Sequence, residues 1–101
     1  MIKVTVLYPA GPAFDMDYYL NRHTPMLREK LGTALTSLAI EQGVAGIAPQ
    51  GAPTYQVLCH LGFANVEAFQ AAFAQHGAEV MADIPNYTAA RPVIQIGEVM
   101  A

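Results

Sequence analysis

His23 sits in the stretch Tyr18-Tyr19-Leu20-Asn21-Arg22-His23-Thr24-Pro25-Met26, inside a run that otherwise reads as an amphipathic helix. Histidine changes charge near neutral pH, so it can take and return a proton under physiological conditions. An imidazole on an apolar stripe also needs a partner for its polar nitrogens. On a helix that starts after Asp15, the i, i+3, i+4 rule puts Met16, Tyr19, Leu20, His23 and Leu27 on one face. Asp17, Asn21 and Arg28 fall away from that face. His23 is therefore expected to point inward, between Tyr19 and Leu27. Pro25, two residues on, would cost roughly 3 kcal/mol in a helix interior. It is explained if the helix is two pieces, with Thr24 capping the second and Pro25 at its first position, where a missing N–H is harmless. Such a break leaves the Asn21 carbonyl without its usual partner and opens a small pocket beside His23.

The plain alternative is a core histidine satisfied by a hydroxyl or a backbone carbonyl. Tyr18 and Tyr19 likewise read as packing aromatics, His76 as a helix-end residue, and Asp83 and Asn86 as turn formers around a proline. Several other chemistries have no footing. No glycine-rich loop leads from a strand into a helix. One cysteine and three dispersed histidines make no metal-ligand set. No serine lies in a nucleophile-elbow sequence. No cofactor and no metal are predicted.

The elements that must hold His23 follow from periodicity. Ile2, Val4, Val6 and Tyr8 alternate with Lys3, Thr5 and Leu7, which predicts a strand. Asp15 is an N-cap for the helix that runs to Leu31, with Gly32 as its stop. Ser37 to Ile47 reads as a second strand, followed by the loop Ala48 to Pro53. Tyr55 to Phe63 alternates again, and His60 falls on the side away from Val57, Cys59 and Leu61. Asn65 caps a second helix with Val66, Phe69 and Phe73 in its stripe, ending near His76-Gly77 with a further turn through Met81. Asp83 to Pro92 is irregular, and Val93 to Val99 is the last strand. The order βαββαβ predicts a ferredoxin-like α+β sandwich with the first and third strands central.

The chain of 101 residues fits one domain, residues 1–101. Charged residues make up 13%, about half of the roughly 25% usual in soluble domains, and hydrophobic residues 53%. So few charges cannot coat a small monomer, and the open sheet face mixes Leu7 and Leu58 with Lys3, Thr5, Gln56 and His60. Both features predict a homodimer joined sheet to sheet. The net charge of −3, with five scattered Lys and Arg, excludes nucleic acid and anionic membranes as expected partners. With no signal-peptide pattern and no apolar run of membrane length, the expectation is a soluble, cytoplasmic protein.

Four stretches carry a family resemblance: Val6 to Met26, Glu41 to Gly46 (EQGVAG), His60 to Phe63 (HLGF) and Asp83 to Val99 (DIPNYTAARPVIQIGEV). Together they resemble the EthD family, named for ethyl tert-butyl ether degradation, within the dimeric α+β barrel group. The resemblance implies a homodimer whose two sheets face each other as a barrel. It also implies a small hydrophobic ligand, aromatic or lactone-like, between sheet and helices. In such a site His23 is the acid–base residue, Asp83 orients its ring, and Tyr19, Asn86 and Tyr87 contact the ligand. Related dimeric barrels include cofactor-free monooxygenases and cyclases. A non-catalytic carrier, or a structural dimer with a vestigial cavity, are the other readings the resemblance leaves open.

Overall fold

A computed structural model describes residues 1–101. Strands β1 (Ile2–Pro9), β2 (Ser37–Gln42), β3 (Tyr55–Phe63) and β4 (Val93–Glu98) form one antiparallel sheet in the order β2-β3-β1-β4. The two strands with the longest alternating faces are the central pair, as the pattern predicts. Val4 lies opposite Leu61 and Val6 opposite Cys59, so the apolar positions of β1 and β3 share the covered face. Ile94 and Ile96 of β4 lie on that same face, opposite Val6 and Val4. They stay 42% and 43% exposed, because the helices do not reach this edge.

The covered face carries two apolar groups. One joins Val4, Cys59, Leu61 and Phe63 to Leu27 and Leu31 of the first helical run and Val80 of the last helix. The other gathers Tyr8, Tyr19, Val57, Ile84 and Tyr87 at the end of the sheet where β1 stops. Tyr19 and Tyr87 of this second group pack on the His23 ring.

The first helical run is continuous, which corrects the expected break at Thr24. Helix α1 (Met16–Tyr18) passes into a π-turn (Tyr19–His23) and then into α2 (Thr24–Leu31), with Tyr19 and Thr24 both in right-handed helical geometry. Thr24 does not cap a second piece. Its N–H bonds the Tyr19 carbonyl five residues back, and its hydroxyl donates to the same carbonyl at 2.8 Å. The wider turn accommodates Pro25, whose ring collides with the carbonyl four residues back in a regular α-helix. The inserted residue also shifts the buried stripe to Tyr19, His23, Thr24, Leu27 and Leu31, and leaves Leu20 46% exposed. Asp15 caps the start, its carboxylate accepting from the Tyr18 N–H, and Gly32 ends the run at positive φ.

Helix α3 (Val66–Ala82) is longer than the sequence pattern predicts. Gly77 does not end it: a Cβ there would strike the Phe73 ring, so the glycine is a packing contact within the helix rather than a stop. Asn65 caps α3 as expected, accepting from the Ala68 N–H. Strand β2 is shorter than expected. Its ladder ends at Gln42 opposite Val57, and beyond it Val44 and Ile47 are almost fully exposed.

Candidate functional site

His23 is delivered to the interior by the π-turn, and its partner arrives from the far end of the chain. Asp83 immediately follows α3, and a 3₁₀ turn (Ile84–Asn86) then folds the chain back. Two contacts clamp this turn against the approach to α1. The Asp15 N–H bonds the Tyr87 carbonyl at 2.8 Å, and the Thr88 hydroxyl donates to the Ala13 carbonyl at 2.8 Å. The clamp sets Asp83 Oδ2 2.9 Å from His23 Nδ1. Its other oxygen, Oδ1, accepts from the Tyr18 hydroxyl at 2.7 Å and from Asn86 Nδ2 at 2.9 Å. Burial pushes the Asp83 carboxyl upward, but the hydrogen bonds from Asn86, Tyr18 and His23 outweigh it and hold the group below its ordinary value. The Asp83 bond in turn raises the Tyr18 phenol.

An ionised Asp83 assigns the proton of the neutral imidazole to Nδ1 and leaves a lone pair on Nε2. Nε2 has no protein partner. No enclosed side-chain nitrogen or oxygen of the molecule lacks one, so Nε2 touches solvent-accessible space even though His23 as a whole is buried. The ring is held by aromatics: Tyr19 stacks on it at 5.4 Å and 13°, and Tyr87 lies across it at 4.8 Å. The Tyr87 hydroxyl continues to the Tyr8 hydroxyl at 2.6 Å. Burial pushes the Tyr8 phenol up to about 12. It raises Tyr19, Tyr87 and the Cys59 thiol in the same sense, so this row stays protonated and neutral around the imidazole.

A cavity of about 90 Å³ lies between the sheet and the helices. Its wall is apolar throughout and includes Val6, Cys59 and Leu61 of the sheet, Phe73 of α3, and Tyr19. His23, Asp83, Asn86 and Tyr87 are not part of that wall, which corrects the expectation of a pocket directly beside the imidazole. The reason is packing: Tyr19 and Tyr87 cover the faces of the ring, and the continuous helix opens no cavity there, which leaves only the Nε2 edge accessible. Tyr19 alone among the predicted site residues touches both the imidazole and the cavity.

The structure thus brings all five predicted residues into one cluster: Asp83, Tyr19 and Tyr87 meet the His23 imidazole, Asn86 holds Asp83, and Tyr19 is shared with the cavity. Sequence reasoning missed Tyr18 as a hydrogen-bonding member, and also Tyr8. Neither has a local signal, because their partners lie 65 and 79 positions away in the chain. Nowhere do three His, Cys, Asp or Glu side chains converge as metal ligands would.

A model of the EthD domain matches residues 8–91. The chain belongs to the EthD family. A solved EthD-like protein from Ralstonia eutropha JMP134 is 43% identical and superposes with a TM-score of 0.93 over 99% of this chain and 92% of that one. An ethyl tert-butyl ether (EthD) family protein from Bacillus halodurans C-125 shares the fold at 23% identity, with a TM-score of 0.79 over 99% of both chains. A dimeric ferredoxin-like protein of unknown function from Thermobifida fusca YX shares it at 17% identity, with a TM-score of 0.63 over 97% of this chain and 90% of that one. No curated protein matches. The matched EthD region runs from Tyr8 to Arg91 and so contains His23, Asp83 and the four tyrosines of their cluster, Tyr8, Tyr18, Tyr19 and Tyr87. No helix of this EthD protein is long and apolar enough to cross a membrane.

Proposed function

We propose that this EthD protein binds a small hydrophobic metabolite and performs acid–base chemistry on it with His23. One observation carries the reading: His23 Nδ1 is tied to Asp83 at 2.9 Å while Nε2 has no protein partner. A carboxylate that holds one ring nitrogen fixes the tautomer and stabilises the imidazolium formed when the other takes a proton. Tyr19 touches both the cavity and the imidazole, but a stacked ring passes no proton, so the reacting atom of the bound molecule must reach Nε2 itself. Asn86 and Tyr18 keep Asp83 ionised and aimed. The apolar wall favours an uncharged ligand. A cavity of about 150 Å³ holds benzene, so a ring enters the 90 Å³ space only if Met81 and Ile94 at its exposed edge give way.

The test is His23→Asn, whose amide can still donate to Asp83 but takes up no proton. The wild type is screened for turnover of small lactones and single-ring phenols, and the variant is assayed on whichever is turned over. Loss of a general base lowers the rate by about 10²- to 10⁴-fold. Unchanged turnover in a folded His23→Asn variant would remove His23 from the chemistry.

A second reading, a non-catalytic carrier, is favoured by the absence of His23 from the cavity wall. Binding of these compounds without turnover by the wild type would select it.

We also propose that the working form is a homodimer joined through the open sheet face. The protein is only 19 Å across its thinnest axis, a single sheet under a single helical layer. Its radius of gyration of 14.0 Å exceeds the roughly 13 Å of a compact chain this long. Leu7, Leu58 and Val93 form a cross-strand row on the uncovered side.

A further inference from the structure

Outside the His23 site the protein holds a second histidine–carboxylate pair, on the sheet face that no helix covers. His60 Nε2 lies 2.5 Å from Glu41 Oε1, and His60 Nδ1 lies 3.4 Å from Thr5 Oγ1. Three neighbouring strands build this cluster: Thr5 of β1 is opposite His60 of β3, and Glu41 of β2 is opposite Leu58, two residues from His60. The pair adjoins the Leu7–Leu58–Val93 row. The other charge on this face is Lys3 of β1, opposite Gly62 and Gly97. Strand β4 presents Val93, Gln95 and Gly97 there, none of them titratable.

We infer that the His60–Glu41 pair couples self-association of this face to pH, with the assembly taking up one proton per protomer. The inference rests on the proposal that the face mates with a second copy. Glu41 is 61% exposed and His60 26% exposed in the single chain, so a mating sheet strips water from both. With a neutral imidazole, Glu41 becomes an uncompensated charge away from water, which is costly. With a proton on His60 the pair is neutral overall and each group is bonded to the other. Lys3 stands two strands and four residue positions from Glu41 in the ladder. That is about 16 Å by strand and residue spacing, too far for Lys3 to hydrogen-bond the carboxylate. It cannot replace the missing proton within one copy. The covered state therefore binds more protons than the open one, and association tightens as pH falls through the range where histidine gains charge, about pH 8 to 5.

The experiment is sedimentation velocity at constant ionic strength at several pH values in that range, on the wild type, His60→Gln and Glu41→Gln. The dimer Kd of the wild type should fall by about 10-fold or more between its alkaline and acid ends, the limit for two protons per dimer being about 100-fold per pH unit. Both variants should lose most of the slope, and Glu41→Gln, which removes the charge that needs the proton, should bind more tightly than the wild type at the alkaline end. A wild-type dimer whose Kd is flat or rises toward acid overturns the inference and leaves the dimer standing. A slope that persists in both variants also overturns it, and places the titrating group outside this pair. A monomer at every pH removes the dimer and the inference together.

Discussion

Asp83 accepts three side-chain hydrogen bonds at once, from His23, Tyr18 and Asn86, and its pKa is lowered as a result. A carboxyl whose folded value lies below its unfolded one adds stability above the unfolded pKa, about 4, and that stability is lost as pH falls through the folded value. Urea midpoints of the wild type should therefore drop as pH is lowered below about 4, and Asp83→Asn should flatten that acid limb. An acid limb of equal steepness in the variant would mean that other carboxylates dominate it. The tyrosines give the opposite sign. Burial raises Tyr8 to about 12 and moves Tyr19 and Tyr87 the same way. Their contribution is complete below the unfolded value of about 10 and is lost as pH rises past it. Phenolate absorbance of these three residues should appear together with loss of near-ultraviolet dichroism. Ionisation of all three in a still-folded protein would contradict their burial around His23.

The π-turn and the uninterrupted α3 are the two elements that set the site. A residue inserted into the first helical run rotates Leu20 outward and lets His23 and Thr24 face inward together. In α3, continuation past Gly77 carries Asp83 to the level of His23, which a helix ended at His76 would not do. Gly77→Ala tests that packing. Alanine is favoured over glycine in a helix by about 1 kcal/mol. Its Cβ would, however, meet the Phe73 ring, which lines the cavity, and overpacking of this kind costs about 1–3 kcal/mol. The expected result in urea unfolding is a net loss of stability. A gain would show that Phe73 turns aside freely and that the glycine is not a packing requirement.

At the scale of the whole molecule, just 19 of 101 residues are buried, and one sheet face is open. Leu58 lies on that face next to Glu41 and opposite Leu7. Leu58→Asp would set a second carboxylate beside Glu41 at the centre of the proposed interface. The expected outcome is a monomer by sedimentation, with helical dichroism retained because the core on the other face is untouched. The wild-type dimer should bury more than about 1,200 Å² in total. A Leu58→Asp protein that still dimerises would move the interface elsewhere.

The strands, the two helical runs and their caps were legible from the chain because their signals are local: alternation in Tyr55 to Phe63, Asp15 and Asn65 before apolar periodicity, Gly32 after it. The inward aim of His23 was legible for the same reason. What Pro25 does to a helix was not, since a break and a π-turn answer the same steric conflict, and the choice depends on whether Tyr19 and Thr24 are both held against the sheet. Gly77 read as a stop because a glycine in sequence looks the same whether it ends a helix or makes room for a ring. The His23–Asp83 bond and its Tyr18 support span 60 and 65 positions, and only the packing of α3 against the sheet brings those ends together. The place of the cavity was decided last of all, by which aromatic rings filled the space beside the imidazole, a matter of side-chain volume in three dimensions on which residue order is silent.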